Sequence, residues 1–269
     1  MKSSAKKTAS PGLALRRALR SLHGERAPES LLPAVLARVG LGDRYWRLDS
    51  PLGTVYVAHS PAGISMVSRA GSAAAFERRY RERFGRPVSK EKSAAPAEVR
   101  ALIHDPKSGE RGKLRFDLRS LSEFERAVLL KALEIPGGEV RPYSWIAREI
   151  GHPDAVRAAG SALAHNPVPL LIPCHRVVRA DGHIGNYSMG GRSAKRRLLR
   201  VEGADPAVLE SLAAKGVRYL GSEEGRYFCF PTCGGLHHLV LANRVPFASP
   251  REAIAAGYAP CGDCRPLAA

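Results

Sequence analysis

The chain has 269 residues, 44% of them hydrophobic, with 42 Lys and Arg against 25 Asp and Glu and a formal net charge of +17. That length fits one large domain or two to three small ones around a packed core. The five cysteines are odd in number, and there is no secretory apolar region or bilayer-length run. This excludes a disulfide framework and a membrane span, and fits a reducing compartment with one free thiol and one metal site. The positive excess is spread along the chain and points to a polyanion, nucleic acid being the usual one.

Residues 1–40 are rich in Lys, Arg, Ser and Ala without one clear period. Acid-free residues 1–20 fit a disordered basic arm better than a transit peptide. Short amphipathic helices are expected at 13–22 and 31–39. From Trp46 the pattern changes. Residues 53–58 are β-branched and aromatic, 60–63 read as a turn and 64–67 as a second strand. Phe76, Tyr80 and Phe84 recur every fourth residue, a core-facing helical stripe. Residues 85–95 read as a polar linker and 96–103 as a helix. Residues 113–118 alternate strictly, which predicts a half-buried strand.

A helical half opens at Ser122. Ser122-Glu123-Phe124-Glu125 spells a capping box, and Phe124, Val128, Leu129 and Ala132 give the helix its apolar face. Residues 143–150 and 154–165 make two further helices around Gly151-His152-Pro153, a helix-turn-helix pattern. Arg157 lies in the first turn of the second, the end that enters a groove in such motifs. Ala158, Ala159, Gly160, Ser161 and Ala162 are small, and either admit a duplex backbone or pack on the preceding helix.

Asn166-Pro167-Val168-Pro169 is a rigid turn, and 170–172 a short buried strand that delivers Cys174. Cys174 is the chain's only cysteine before residue 229. A buried cysteine beside a surface histidine is the commonplace reading of Cys174-His175. The thiol's position after Pro173, the positive side chains around it and its separation from the other cysteines favour a thiolate nucleophile.

These residues resemble the 6-O-alkylguanine-DNA alkyltransferase family over residues 45–203. The resemblance is carried by Ser50-Pro51-Leu52-Gly53-Thr54, by 135–143, by Asn166-Pro167-Val168-Pro169, and by Ile172-Pro173-Cys174-His175-Arg176-Val177-Val178. Gly185-Asn186-Tyr187-Ser188, Lys195, Leu198-Leu199 and Glu202-Gly203 complete it. It implies an α+β chain: a small sheet-containing N-terminal domain (46–118) that supports, and a helical helix-turn-helix alkyltransferase domain (119–203) that reacts. It further implies that Cys174 takes the alkyl group from the guanine oxygen and keeps it, one base per protein. His175, polarised by Glu202, would remove the thiol proton through a water. Tyr143 would donate toward guanine N3, and Arg157 would fill the gap left by a flipped nucleotide. The helix-turn-helix would use the minor groove, with Ala158 and Gly160 near DNA and Asn166 bracing it against the Cys174 loop. Pro169, the Val177 backbone, Tyr187 and Ser188 would line the base pocket. The partner would be double-stranded DNA carrying 6-O-alkylguanine, met by a monomer in the cytoplasm near the nucleoid, with no organic cofactor. One extra residue after Ser188 puts Met189 where small residues rim the family's pocket, which bears on bulky alkyl groups rather than on methyl.

Residues 204–216 read as a linker helix. Beyond them, Cys229-Phe230-Pro231-Thr232-Cys233 and Cys261-Gly262-Asp263-Cys264 flank 27 residues. Two close pairs around a small module signal tetrahedral Zn²⁺, and a redox pair lacks its usual strand and helix context. Ser249-Pro250-Arg251-Glu252 caps a helix that Gly257 ends. This tail, 217–269, is similar over 217–266 to Ada-type metal-binding domains. In those the first cysteine, here Cys229, accepts methyl from a phosphotriester. Phe230 stands here in place of a basic residue, so a structural or DNA-tethering four-cysteine zinc module is the better expectation. His237 and His238 are spare ligand candidates. Two other functional readings remain. One is a DNA-binding regulator that responds to methylation, for which no separate transcription-factor domain is visible. The other is a Cys-His hydrolase, for which no oxyanion site is visible.

Overall fold

Alternation builds the first sheet and gives it two buried faces. β1 (Asp43–Ser50), β2 (Gly53–Ser60) and β3 (Gly63–Ser68) run antiparallel, and β4 (Val88–Lys90) joins β1 in parallel, giving the order β3-β2-β1-β4. On β2, Tyr56 and Ala58 face one way and Val55 and Val57 the other, as the two-residue period requires. The first pair packs against Phe76 and Tyr80 of α1 (Ala73–Phe84), so the aromatic stripe is core. The second pair joins the main core, which also takes Val99, Leu102 and Ile103 of α2 (Ala97–His104) and runs into the helical half. The computed structural model describes residues 42–107, 111–236 and 243–267, with Leu31, Val35 and Leu36 besides. The basic arm, most of the two N-terminal helices, His237 and His238 lie outside the described residues.

Three local expectations are corrected here. β1 begins at Asp43, and the stretch read as a polar linker contains β4. Residues 113–118 form no strand: Phe116 makes only one isolated bridge, to Ile64. The reason is Asp117, whose buried carboxylate accepts from Ser60 Oγ at 2.7 Å and from Arg119 Nε at 2.8 Å and so turns the chain away. Gly63 permits that bridge, since a Cβ there would meet the Arg115 carbonyl.

α3 (Glu123–Leu133) starts on the expected capping box. Ser122 Oγ accepts from Glu125 N, the Glu125 carboxylate accepts from Ser122 N, and Val128, Leu129 and Ala132 are buried. A short parallel pair, β5 (Arg141–Pro142) with β6 (Val177–Val178), ties the entry of α4 (Tyr143–Glu149) to the Cys174 loop. α4 and α5 (Val156–Ala164) make the helical pair. α5 begins two residues later than the sequence suggests, leaving Asp154 in the preceding turn. α6 (Gly191–Glu202) buries Lys195, Leu198, Leu199 and Glu202, the i, i+3, i+4, i+7 face of one helix. Each leucine contributes about 2 kcal/mol, and the same face carries two polar groups inward. In α7 (Pro206–Ala214), Leu209 packs with Val140, Val178, Ile184 and Leu199.

The tail has more sheet than its sequence suggested. β7 (Tyr219–Ser222), β8 (Tyr227–Cys229), β9 (Arg244–Phe247) and β10 (Ala259–Pro260) form a second sheet in the order β10-β8-β7-β9, covered by α8 (Pro250–Ala255) on its Ser249 cap. Among the described residues no helix is long and apolar enough to cross a membrane.

Candidate active site and metal centre

Cys174 is presented by a turn, not by the expected strand. Leu170 has φ 74, a left-handed conformation that costs a leucine about 1–2 kcal/mol. It lets Ile172 N donate to Val168 O at 2.9 Å, and Cys174–Arg176 then form one turn of 3-10 helix. Asn166 holds the whole turn. Its Oδ1 accepts from Val168 N at 2.9 Å, and its Nδ2 donates to Ile172 O at 3.0 Å and to Cys174 Sγ at 3.2 Å. So Asn166 touches the thiol itself as well as bracing the loop.

Burial pushes the Cys174 thiol up, opposed by the Asn166 bond and the charge of Lys195. Lys195 is fully buried, donates from Nζ to Val177 O at 2.5 Å, and is itself lowered by burial to about 8. At rest the thiol therefore keeps its proton and needs a base.

His175 is the next residue in the chain. It is completely buried, and its Nε2 lies 2.8 Å from Glu202 Oε1. Burial works to raise Glu202, but His175 and Arg176 outweigh it and hold the carboxyl at about 2. An ionised carboxylate only accepts, so Nε2 carries the hydrogen and Nδ1 presents its lone pair. Nδ1 is buried with no hydrogen-bond partner in the protein. Burial also lowers His175, against the pull of Glu202, so the ring is neutral and able to take a proton.

Sequence reasoning missed what grips Glu202. Arg176 lies beside His175 in the motif and forks onto the carboxylate, Nε to Oε2 and Nη2 to Oε1 at 2.8 Å each, while Nη1 donates to Ile135 O at 2.5 Å. Arg111, from the other half of the chain, brings Nη2 to 3.8 Å from Oε1. Adjacency in the motif was a signal for Arg176; for Arg111 there was none. Gly138 seals the same place, because a Cβ there would lie 2.9 Å from Glu202 O and its φ is +82.

A cavity of about 270 Å³ opens onto the thiol, lined by Tyr143, Leu163, Ala164, Cys174, Asn186, Tyr187 and Ser188. Of the expected pocket residues, Tyr187 and Ser188 line it. Pro169 and Val177 are buried and do not line it, the Val177 carbonyl being taken by Lys195. Met189 does not rim the cavity. It is buried under Tyr187, whose hydroxyl lies 3.9 Å from its sulfur. Tyr143 and Asn186 are shared with a broader recess of about 590 Å³ that also carries Arg179, His183 and Arg192. Arg157 and Ala158 are exposed on α5. Gly160 faces Tyr143, where a Cβ would sit 3.8 Å from the ring, so a small residue is convenient there rather than required.

The four tail cysteines are buried, unpaired as disulfides, and bring their sulfurs within 4.8 Å of one another. Tetrahedral Zn–S bonds of about 2.3 Å need sulfur separations of about 3.8 Å, which this cluster accommodates. The backbone N–H of Gly235 bonds Cys233 and that of Phe230 bonds Cys264, as thiolate ligands require. The donor set suits a metal ion.

Residues 123–204 match the family model described as 6-O-methylguanine DNA methyltransferase, DNA binding domain. A solved structure of Mycobacterium tuberculosis OGT in complex with DNA is 30% identical, with 62% of this chain and 98% of that one covered, at a TM-score of 0.49. Residues 123–204 are a DNA-binding domain of this methyltransferase family. Residues 208–266 match the metal binding domain of Ada, so an Ada-type module follows the methyltransferase domain. Methylated-DNA–protein-cysteine methyltransferases of Rattus norvegicus and Mus musculus are 42% identical over 130 residues and 53% over 81. These matches take in 47% and 30% of this chain, which spans 61% and 38% of those relatives' lengths.

Proposed function

We propose that this protein repairs DNA by moving the alkyl group of 6-O-alkylguanine irreversibly onto Cys174. The observation that carries the reading is the line from a cavity-facing thiol to a neutral imidazole and an arginine-clamped carboxylate. The Cys174 proton passes through a water to His175 Nδ1. The sulfur pair attacks the alkyl carbon in line, the carbon–oxygen bond breaks, and its electron pair stays on the guanine oxygen. Tyr143 donates toward N3 and disperses that charge. A thioether does not hydrolyse, so each protein acts once.

A base stacked in a duplex cannot present its oxygen to a buried thiol, so it must flip, at a few kcal/mol. Arg157, exposed in the first turn of α5, fills the vacated stack, with Ala158 and Gly160 against the DNA. Asn166 holds the thiol, while Tyr187 and Ser188 contact the base and Pro169 and Val177 back the pocket. Double-stranded DNA is the partner, bound by a monomer near the nucleoid in the cytoplasm. The working division is a basic arm at 1–45, a supporting domain at 46–118, the reacting domain at 119–203, a connecting helix at 204–216 and the metal module at 217–269.

Zn²⁺ held by Cys229, Cys233, Cys261 and Cys264 supplies folding energy to the tail. With Cys229 facing three other sulfurs and Phe230 beside it in place of a basic residue, the module is structural rather than a methyl acceptor. The test is stoichiometry. Duplex DNA labelled in the methyl of 6-O-methylguanine should transfer one label per protein and then stop. Multiple turnovers, or no label on a folded protein, would refute the reading.

A further inference from the structure

The metal module holds α4, the first helix of the helical pair, at both ends. At its entry three consecutive residues reach the segment between and just beyond the first cysteine pair. The Glu139 carboxylate accepts from Gly234 N at 2.9 Å, and Val140 N donates to Thr232 Oγ1 at 2.8 Å. The Arg141 guanidinium lies 5.4 Å from the Phe230 ring and 5.8 Å from Trp145 of α4, and closes back on Glu139 at 2.5 Å. Glu139 and Arg141 are both buried. At the other end Arg265, next to Cys264, pairs with Glu149 at 2.6 Å, and Arg148 donates to Pro266 O at 3.0 Å. Cys229, Cys233, Cys261 and Cys264 share one apolar cluster with Trp145, Ile146 and Cys174.

The segment held in this way leads straight into the reaction. Arg141 and Pro142 pair with Val177 and Val178, beginning two residues past His175, and Tyr143 is the next residue in the chain. A shift of the clasp therefore moves the phenol relative to the thiol. Misplacement of a catalytic group by even 1 Å is costly.

We propose that Glu139, Thr232 and Arg141 are positioning residues through which the metal-bound module sets Tyr143 and the Cys174 loop. Metal occupancy at the tail then governs the speed of alkyl transfer without the metal touching substrate. This rests on the alkyl-transfer reading for its functional consequence, but its structural content is independent of it.

The experiment uses the full chain and amide hydrogen exchange read by mass spectrometry. Zinc titrated into metal-free protein should protect peptides covering 139–149 and 175–178 with the same midpoint as metal binding, leaving 53–68 unchanged. In zinc-loaded Glu139→Gln/Thr232→Val, with one metal per chain retained, 139–149 should exchange about tenfold faster. The limiting single-turnover rate should fall, while the DNA concentration for half-saturation holds. If 139–149 is equally protected in metal-free, loaded and variant protein, the proposal is overturned. Exchange that follows metal in a protein that never accepts methyl keeps the clamp and rejects the alkyl-transfer reading instead.

Discussion

The chain holds two contrasting buried cysteine environments. Cys174 stands alone, bonded by the Asn166 amide, beside a buried lysine and open to a cavity that also holds Tyr143. Cys229 is just as buried, but it faces three other sulfurs and has an aromatic neighbour, Phe230, stacked near Arg141. Burial therefore does not separate a nucleophile from a ligand. What separates them is what the sulfur faces: an open cavity, or other sulfurs that only a cation can reconcile.

The sharpest way to break this contrast is to remove either sulfur. Cys174→Ala should abolish alkyl transfer at a stability cost of about 1 kcal/mol, read by label transfer and a denaturant midpoint. Cys233→Ser, or excess chelator, should unfold β7–β10, because metal ligation in such small modules contributes on the order of 10 kcal/mol. Amide exchange should show that loss with β1–β3 still protected.

Glu202→Gln probes the base. It should slow the single-turnover rate by about 10²-fold, since the amide cannot stabilise a protonated His175. It also leaves Arg176 buried and unbalanced, so stability should fall. A pH series isolates the carboxyl. The unfolded chain binds its proton near the ordinary value of 4.5, whereas the folded chain holds the proton off until about 2. Between those values the unfolded state carries more protons, so stability present above pH 4.5 is lost as pH falls toward 2. The loss should be roughly 3 kcal/mol and should be missing from the urea midpoints of Glu202→Gln. The smallest effect belongs to Arg157→Ala, which should weaken DNA binding about tenfold and flatten its salt dependence by about one ion.

Much of the site was legible because its chemistry is packed into short motifs. Asn166, Cys174 and His175 lie within ten residues, and Lys195 and Glu202 entered through the family resemblance, α6 then placing both on one buried face. Arg111 was invisible, since a lone arginine in a turn gives no hint that it will reach Glu202. The run 170–172 looks like a strand because apolar runs carry no direction, and only the left-handed Leu170 makes it a turn. β1 was hidden by its interspersed charges, Asp43, Arg44, Arg47 and Asp49, and β7–β10 by their shortness. The clasp on α4 joins residues more than ninety positions apart, which local pattern does not encode.

One measurement bears most directly on the division between the two kinds of cysteine. The protein is reacted with duplex DNA carrying both 6-O-methylguanine and a methyl phosphotriester, digested, and all five cysteines are mapped by peptide mass. The predicted result is methyl on Cys174 alone, at one per chain. Methyl on Cys229, or an unmodified Cys174 in folded, zinc-loaded protein, would contradict it.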